Sequence, residues 1–371
     1  MTKVRYDALF VGGGVIGLSS AWELARRGLR VAVVERAEFG REASWAGAGI
    51  VAPAPPADAP TAFGRLRAAS AARWPAWSAE LAAAAGVDIG FRNCGGLHLL
   101  APAELPHFLK LAASEQILAE ACRTADIETA VHAPGWAAAF VPSVCQVRSP
   151  RFLRALFAAL PLRGASVLAQ TPIVALEPTI GGWLARTNEG RSIAARHAVV
   201  CAGAWSAALL APLGIVAPVR PVLGQLLAVK ASPGLLRRVV EVGRKYLVPR
   251  EDGVVLIGAT EEDAGYGKPV TAEAAAALRA FAAGIVPALA AAPEIASWTG
   301  LRPATPHGRP WLYSPLPGLW VAAGHFRQGL QLAPGTAALL ADWLTDTPTF
   351  ARPADFAPNA PPEPMPSAFV S

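Results

Sequence analysis

Three glycines near the start of the chain have the spacing of a dinucleotide-binding turn. Gly12, Gly14 and Gly17 fit the pattern G-x-G-x-x-G, between an apolar run and a helical pattern. The first glycine permits a tight bend, the second lets the backbone approach a pyrophosphate, and the third lets helix and strand pack closely. Glu35 follows Gly17 by 35 − 17 = 18 residues, near the spacing of about 20 expected for a carboxylate on ribose hydroxyls. These residues predict a dinucleotide site.

Arg36 stands beside Glu35 and allows two interpretations. An arginine here could bind the 2′-phosphate of a phosphorylated dinucleotide. The carboxylate of Glu35 would repel that phosphate, so we favour an ordinary surface arginine beside the ribose site. The alternative to the whole motif is a glycine-rich turn without a ligand, and the strand, helix and carboxylate around it argue against that.

Ordered elements must hold this turn at the edge of a sheet. Apolar runs at residues 6–11 and 29–34 predict two buried strands, and the helical pattern over residues 15–27 ends at Gly28. Another apolar run, at residues 198–201, leads into Gly203 and is typical of a buried parallel strand whose end meets the nucleotide. A core strand with a plain glycine stop fits that run equally well.

Further along, periodicity predicts helices over residues 106–124 and 333–344. A third helix begins at Ser149, interpreted as its cap, with Pro150 in the first turn, and runs to residue 160. Residues 348–371 are rich in proline and have no period, which predicts a largely disordered tail.

Composition narrows the class of protein. The 371 residues are enough for two domains, and the net charge of +6 is spread without a basic stripe, which argues against nucleic acid as a partner. Alanine is the most frequent residue in the 53% hydrophobic content, and we find no run of about 18 strongly apolar residues that would predict a membrane span. The four cysteines lack metal-ligand spacing, so we expect free thiols, no metal site and a cytoplasmic location.

Five motifs in a fixed order point to a family. They are the glycine turn, ASWAGAG at residues 43–49, GATE at 258–261, GLRP at 300–303 and GHFRQG at 324–329. Together they resemble the D-amino-acid-oxidase-like flavoproteins and, within them, the glycine oxidases of thiamine biosynthesis. The likeness covers about residues 5–344.

The resemblance implies an α/β fold with two domains. A Rossmann-like FAD-binding domain of discontinuous segments would comprise residues 1–85, 145–215 and 300–347. An α+β substrate-binding domain with a mainly antiparallel sheet would comprise residues 86–144 and 216–299, and the tail, residues 348–371, would lie outside both.

The resemblance also assigns residues to FAD. The predicted cofactor-binding residues are Gly12, Gly14, Val15, Ile16 and Gly17 at the pyrophosphate, Glu35 and Arg36 at the ribose, Ala43, Ser44, Ala48, Gly49 and Ile50 along the cofactor toward the ring, Val174 through its backbone near the adenine, Gly203 at the strand end, and Gly324, His325, Phe326, Arg327, Gln328, Gly329 and Leu330 beside the isoalloxazine. Sarcosine-oxidase relatives attach flavin through a late cysteine. No cysteine follows Cys201, so we expect noncovalent FAD.

Tyr246, Arg302 and Arg327 match the family's substrate positions. An arginine fork can hold both oxygens of an amino-acid carboxylate and so orient the α-C–H toward the flavin. Each has a structural alternative: Arg302 could pair with a surface carboxylate, Arg327 could face either way beside the flavin, and Tyr246 could be a plain strand aromatic. Glu261 could lie in a solvated turn or meet the substrate ammonium.

The activity implied by the resemblance is oxidative deamination of glycine, sarcosine or small D-amino acids by hydride transfer to flavin. Its products would be glyoxylate, ammonia and hydrogen peroxide, and its imine would feed thiazole formation. The partners would be a small amino acid and oxygen, without nucleic acid or membrane; a homo-oligomer stays open. The alternatives are a dehydrogenase that passes electrons to a quinone, a general D-amino-acid oxidase, and a flavin-binding module without catalysis.

Overall fold

The structure is a computed structural model of the chain and describes residues 6–361 and residue 363. The strands are β1 (Tyr6–Val11), β2 (Val31–Val34), β3 (Ile50–Val51), β4 (Arg92–Asn93), β5 (Gly96–Leu100), β6 (Glu120–Cys122), β7 (Ala137–Val141), β8 (Cys145–Gln146), β9 (Ser166–Leu168), β10 (Ile173–Thr179), β11 (Gly182–Thr187), β12 (Ser192–Val200), β13 (Arg220–Lys230), β14 (Val239–Val242), β15 (Lys245–Pro249), β16 (Val254–Gly258), β17 (Glu294–Ala304), β18 (Trp311–Leu316) and β19 (Leu319–Ala323). The α-helices are α1 (Val15–Arg26), α2 (Ala43–Ala46), α3 (Ala62–Ala85), α4 (Leu105–Ser114), α5 (Thr124–Ile127), α6 (Ser149–Leu162), α7 (Ser206–Leu210), α8 (Ala272–Ile285) and α9 (Gly329–Leu344).

The first sheet is built around parallel strands. β9, β2, β1, β12 and β19 pair side by side in parallel, and β18 closes one edge antiparallel to β19. The β10–β11 hairpin pairs with the start of β12. α1 packs against α9 and α6 over one face. Because both faces are covered, these strands read as continuous apolar runs, and every residue of β2 is buried. The predicted strand–turn–helix–strand unit is confirmed.

The second sheet has the order β17-β13-β16-β15-β14-β5-β7-β6. Its neighbouring strands run antiparallel except for β14 and β5, and α8 packs against β13 and β16. A third, small sheet has the order β3-β8-β4. Each of its strands lies where the chain passes from one large sheet to the other. The predicted fold class, a Rossmann-like domain with a mainly antiparallel α+β domain, is confirmed. The domain boundaries stay a prediction, and β17 runs across the expected boundary at residue 300.

Three helix predictions differ from the structure at an end or a cap. The helix expected over residues 106–124 ends at Ser114, because Gln116 turns the chain with a φ of 55° and β6 then pairs with β7. The hydroxyl of Ser149 does not cap α6; it donates to the carbonyl oxygen of Gly47 at 2.6 Å. The last helix begins at Gly329, four residues before its expected start, with Pro334 inside it.

The described part of the tail is folded, so the expectation of disorder is wrong there. Ala351 and Phe356 are buried against the first domain, and the indole N–H of Trp343 donates to the carbonyl oxygen of Ala351 at 2.9 Å. Arg309 pairs with Glu363 at 3.1 Å. Local composition gave no sign of these contacts because their partners lie elsewhere in the sequence. Residue 362 and residues 364–371 lie outside the described residues.

Side chains of α3 form hydrogen bonds with the backbone of α9. The hydroxyl of Ser70 donates to the carbonyl oxygen of Gln331 at 2.6 Å and accepts the N–H of Gly335 at 3.1 Å. The indole N–H of Trp74 donates to the same Gln331 oxygen at 2.9 Å. Ser70 therefore stands between a carbonyl and an N–H that would bond each other in an uninterrupted helix.

We predict that Gly335→Ala destabilises the protein although alanine is the better helix former. A Cβ at residue 335 would lie 2.9 Å from both the Leu66 carbonyl oxygen and the Ser70 nitrogen, and these backbone atoms cannot swing away. The overpacking should lower the free energy of unfolding by about 1–3 kcal/mol, which exceeds the helix-propensity gain of about 1 kcal/mol. Gly284→Ala in α8 is the matched control, because nothing lies within 4 Å of its added methyl, and it should stabilise slightly. Urea unfolding of the two variants measures both effects, and equal stabilisation would contradict this packing.

Candidate active site

A deep cleft of about 450 Å³ is lined by residues of both large sheets. One end lies at the carboxyl ends of β1, β2 and β12, where open α/β sheets bind ligands. The other end lies under β13, β15 and β17 of the second sheet. The cleft therefore joins a nucleotide-type edge to the sheet that carries the predicted substrate residues.

The glycine turn brings α1 directly onto the strand ends. Gly12 has a φ of +123°, and a Cβ there would meet the carbonyl group of Cys201. A Cβ at Gly17 would fall on the carbonyl oxygen of Gly12, so residue 17 permits the helix–strand contact from behind the cleft and does not line it. Gly14 caps α1 with extended backbone, and no side chain bonds from the cap position. The first turn of α1 thus directs its positive end toward the cleft.

Glu35 and Ser44 hold this turn in place. One oxygen of Glu35 accepts the N–H of Gly13 at 2.8 Å, and the other accepts the N–H of Ala37 at 3.1 Å. The hydroxyl of Ser44, on α2, accepts the N–H of Val15 at 2.9 Å. The predicted ribose carboxylate and the predicted small-residue segment therefore meet at the same turn.

The small-residue segment needs its glycines for close approach. A Cβ at Gly49, whose φ is +79°, would overlap the carbonyl oxygen of Val147. A Cβ at Gly300 would lie 2.5 Å from the methyl group of Ala46, so β17 of the second sheet packs directly on α2. These contacts bring the segments that line the cleft close to their neighbours.

The segment before α9 forms the opposite wall. The residues from Gly324 to Leu330 all line the cleft. Phe326 adopts a φ of +49°, and its N–H donates to the carbonyl oxygen of Pro303 at 2.9 Å. The ring of His325 is buried and its Nε2 lies 3.1 Å from the hydroxyl of Thr336. Burial lowers the pKa of this imidazole to about 3, so the ring is neutral and its place is structural.

The three predicted substrate residues lie together in the cleft. Arg302 on β17 donates from Nη1 to the carbonyl oxygen of Thr260 at 3.1 Å, and its guanidinium lies near the hydroxyl of Tyr246 on β15. Burial raises the pKa of the Tyr246 hydroxyl, although the charges of Arg302 and Arg327 act against that shift. The hydroxyl therefore stays protonated at neutral pH and can donate.

Arg327 has a carboxylate partner among the described residues, and Arg302 has none. Arg327 forms an ion pair with Glu261, which also pairs with Arg244 at 3.3 Å. Among residues 6–361 and 363, no carboxylate lies within 4.0 Å of the Arg302 guanidinium. Burial lowers the pKa of Arg302, as does the charge of Arg327. The expected structural alternative for Arg302, a surface ion pair, is therefore absent from the described residues.

Two glycines clear the space for these side chains. A Cβ at Gly224 on β13 would collide with the guanidinium of Arg302, and one at Gly258 on β16 would collide with the ring of Tyr246. We did not predict Gly224 as a site residue. Its only sequence signal is a glycine within an apolar strand, which often marks a close approach of another group.

Most of the other predicted residues line the cleft, and a few contacts were missed. Val174 does not line it; the residue is 57% exposed, while the preceding residues 171–173 do line it. A backbone contact of Val174 stays a prediction.

The guanidinium of Arg36 lies 3.6 Å from the ring centroid of Trp205 and also pairs with Glu42 at 3.0 Å. Neither Trp205 nor Glu42 was predicted. The predicted residues in the cleft wall are Gly12, Gly14, Val15, Ile16, Glu35, Arg36, Ala43, Ser44, Ala48, Gly49, Ile50, Gly203, Tyr246, Arg302, Gly324, His325, Phe326, Arg327, Gln328, Gly329 and Leu330.

Residues 260–271 pass from the second sheet across to the nucleotide side. Tyr266 donates to the carbonyl oxygen of Ala204 at 3.1 Å, and its ring lies 5.5 Å from that of Trp205. Lys268 pairs with Glu42 at 2.9 Å. The loop thus ties both halves of the cleft together.

Comparison with known proteins decides the family. Residues 7–343 match the family described as DAO, FAD dependent oxidoreductase. The chain belongs to this family. It is 39% identical over 365 residues to the glycine oxidase of Pseudomonas aeruginosa, across 94% of this chain and 97% of the relative. The crystal structure of glycine oxidase from Geobacillus kaustophilus matches with a TM-score of 0.90 and 32% identity, over 96% of this chain and 98% of that one.

A third relative is a longer protein. The bifunctional protein ThiO/ThiG of Synechocystis sp. is 33% identical over 354 residues, which cover 92% of this chain and 52% of the relative. With these matches, the predicted family and FAD as the cofactor of this DAO-family chain are confirmed.

The cleft fits FAD. The glycine turn presents the N-terminus of α1, with its positive end, for a pyrophosphate, and Glu35 lies at the end of β2 for a ribose. A Cβ at Gly49 would overlap the carbonyl oxygen of Val147 and one at Gly324 would overlap the side chain of Thr305, so both positions of the cleft wall require glycine. Among the described residues, no group of three or more His, Cys, Asp or Glu side chains could hold a metal ion, and no described helix is long and apolar enough to cross a membrane.

We predict that Gly224→Ala weakens substrate binding while the fold and FAD are retained. The new methyl would overlap the Arg302 guanidinium, the flexible end of a side chain, so the guanidinium shifts and stability changes little. KM for the amine substrate should rise at least about tenfold, since one misplaced charge-assisted contact costs 1.4 kcal/mol or more. Gly284→Ala, whose methyl meets nothing, is the control. An unchanged KM in a yellow, folded Gly224→Ala protein would place substrate away from Arg302.

Proposed function

We propose that this protein is an FAD-dependent oxidase of glycine, sarcosine and small D-amino acids. Glycine, water and oxygen would give glyoxylate, ammonia and hydrogen peroxide. The observation that carries the proposal is the guanidinium of Arg302, which stands in the same cleft as the FAD cradle and lacks a carboxylate partner among the described residues. The similarity to glycine oxidases over nearly the whole chain supports the same substrate class.

A desolvated arginine without a counter-ion favours binding of an anion. Burying an unpaired charge is costly, and a carboxylate of the substrate would both neutralise Arg302 and accept two N–H bonds from its planar fork. Thr260 already accepts from Nη1, which fixes the rotation of the fork in the cleft. The protonated hydroxyl of Tyr246 supplies a further donor beside it. We therefore assign the carboxylate of the substrate to Arg302 and Tyr246.

The rest of the reaction follows from orientation. FAD, when bound, supplies the acceptor for the hydride that leaves the substrate α-carbon. Arg302 and Tyr246 fix one end of the substrate, so that its α-carbon stays in one position within the cleft. Loss of the hydride is driven by the lone pair of a neutral amine, so no side chain has to act as a general base. The N-terminus of α9, which begins at Gly329 in the cleft wall, would favour negative charge that develops on the hydride acceptor.

The match to the ThiO/ThiG relative supports a role for the imine product in thiazole formation. In this proposal the imine formed from glycine enters thiazole formation before water hydrolyses it. A cytoplasmic location is part of the same proposal and fits the free cysteines, and a homo-oligomer stays open.

The test of the function starts with the purified yellow protein. FAD should be released intact by heat, because no described cysteine lies in the chain after Cys201. Glycine should bleach the flavin without air and yield hydrogen peroxide with air. Glycine and sarcosine should have the highest kcat/KM, D-alanine a lower one, D-proline and D-phenylalanine the lowest, and L-amino acids none.

D-phenylalanine as the best substrate would indicate a general D-amino-acid oxidase. Bleaching without peroxide would indicate a dehydrogenase, and no bleaching a silent module.

Arg302→Ala should keep FAD and the fold but lose most of kcat/KM for glycine. Loss of one partner of a hydrogen-bonded charge pair costs about 2–5 kcal/mol, or about 30-fold to several thousandfold. Arg302→Lys should recover only part, because a point charge cannot replace the fork. Arg220→Ala, an exposed arginine at the start of β13, is the control and should change little. Steady-state kinetics give these values, and near-wild-type turnover of Arg302→Ala would move carboxylate binding to Arg327.

A further inference from the structure

Glu261 binds two arginines of the cleft at once. Its Oε2 forms the ion pair with Arg327, and its Oε1 lies 3.3 Å from Nη1 of Arg244. Arg244 and Arg327 both line the cleft that holds Arg302. We call Arg244 and Arg327 the outer arginines. Both oxygens of Glu261 are thus engaged, each by a different outer arginine.

The backbone holds Glu261 in this position. The N–H of Thr260 donates to the carbonyl oxygen of Gln225 at 3.2 Å, and the Thr260 hydroxyl accepts the N–H of Gln225 at 2.8 Å. On the other side, Glu262 exchanges two backbone hydrogen bonds with Leu223, at 2.9 and 3.0 Å. The loop is therefore pinned to β13 on both sides of residue 261, and the carboxylate does not depend on its own ion pairs to stay beside the cleft.

The charges around the site are unequal. Arg302, Arg244 and Arg327 bring three positive charges, and Glu261 brings one negative charge against the two outer arginines. Glu241 also lines the cleft, but its carboxylate is directed to His98, 3.8 Å from Nε2. Burial alone would raise the pKa of Glu261, yet the hydrogen bond from Arg327 and the charges of the arginines lower it, so Glu261 is ionised at neutral pH.

We propose that Glu261 limits the substrates of this cleft to amines with a single carboxylate. It does so by engaging the outer arginines and by placing a negative charge where a second carboxylate would lie. This inference rests on the proposed function, in which Arg302 takes the first carboxylate. Dicarboxylic amines such as iminodiacetate and D-aspartate are excluded by repulsion, a use of charge that rejects the wrong partner.

Removal of this one charge should turn exclusion into binding. In Glu261→Gln the amide keeps nearly the same size, but the outer arginines lose their counter-ion and become donors for a second carboxylate. Glu262→Gln is the matched control, because it removes the same charge from the next residue of the same loop, and the Glu262 side chain is exposed.

Binding is measured with two unreactive ethers that have no amine to oxidise. Methoxyacetate carries one carboxylate and diglycolate carries two, and the absorption spectrum of bound flavin reports their dissociation constants. In the wild-type protein methoxyacetate should bind more tightly. In Glu261→Gln the affinity ratio of diglycolate to methoxyacetate should rise at least about tenfold, the effect of one charged hydrogen bond. Initial rates of peroxide formation from iminodiacetate relative to sarcosine should rise in parallel, and Glu262→Gln should change neither ratio.

The outcomes separate this inference from the proposed function. Wild-type protein that oxidises glycine but binds diglycolate as well as methoxyacetate would overturn the role of Glu261. So would a folded, yellow Glu261→Gln with unchanged ratios. If that variant fails to retain FAD, Glu261→Met, which removes the charge and fills the space, is measured against the same criteria. Failure of the proposed function looks different: the wild-type protein oxidises none of the amines, whatever the ethers do.

Discussion

The direct contact between the backbones of α1 and β1 is the constraint from which the site is built. Because Gly17 has no side chain, the helix rests on the carbonyl oxygen of Gly12 at the end of the strand. This places the start of α1 at the edge of the sheet, where the N–H of Val15 donates to the Ser44 hydroxyl and the N–H of Gly13, in the turn before the helix, donates to the Glu35 carboxylate. A bulkier residue at either glycine would lift the helix and separate these groups.

The same series of contacts continues to the substrate end. Ser44 belongs to α2, and α2 meets β17 where Ala46 faces Gly300. Arg302 lies two residues further along β17, in the space that Gly224 leaves open on β13. The position of the guanidinium is thus fixed relative to the nucleotide turn through short contacts between small residues. The two large sheets can therefore hold a substrate and a cofactor at fixed positions relative to each other.

The sequence could predict those parts that depend on local pattern. The turn around Gly12, the strands beside it and the carboxylate of Glu35 follow from glycine spacing and apolar periodicity. Arg302 and Tyr246 came from motifs in order, and the structure brings them into one cleft. Long-range contacts were out of reach. The pairing of Glu261 with two arginines joins residues distant in sequence, and the folded tail depends on Trp343, which nothing in its own composition indicates.

The hydroxyl of Ser70 inside the hydrogen-bond ladder of α9 has a mechanical consequence. One side chain of α3 bonds both the carbonyl oxygen of Gln331 and the N–H of Gly335, so the first turns of α9 are anchored to α3. Residues 329–331 of these turns line the cleft and are held by a helix that begins far away in the chain. The position of this part of the cleft wall therefore depends on residue 70, which lines no part of the cleft itself.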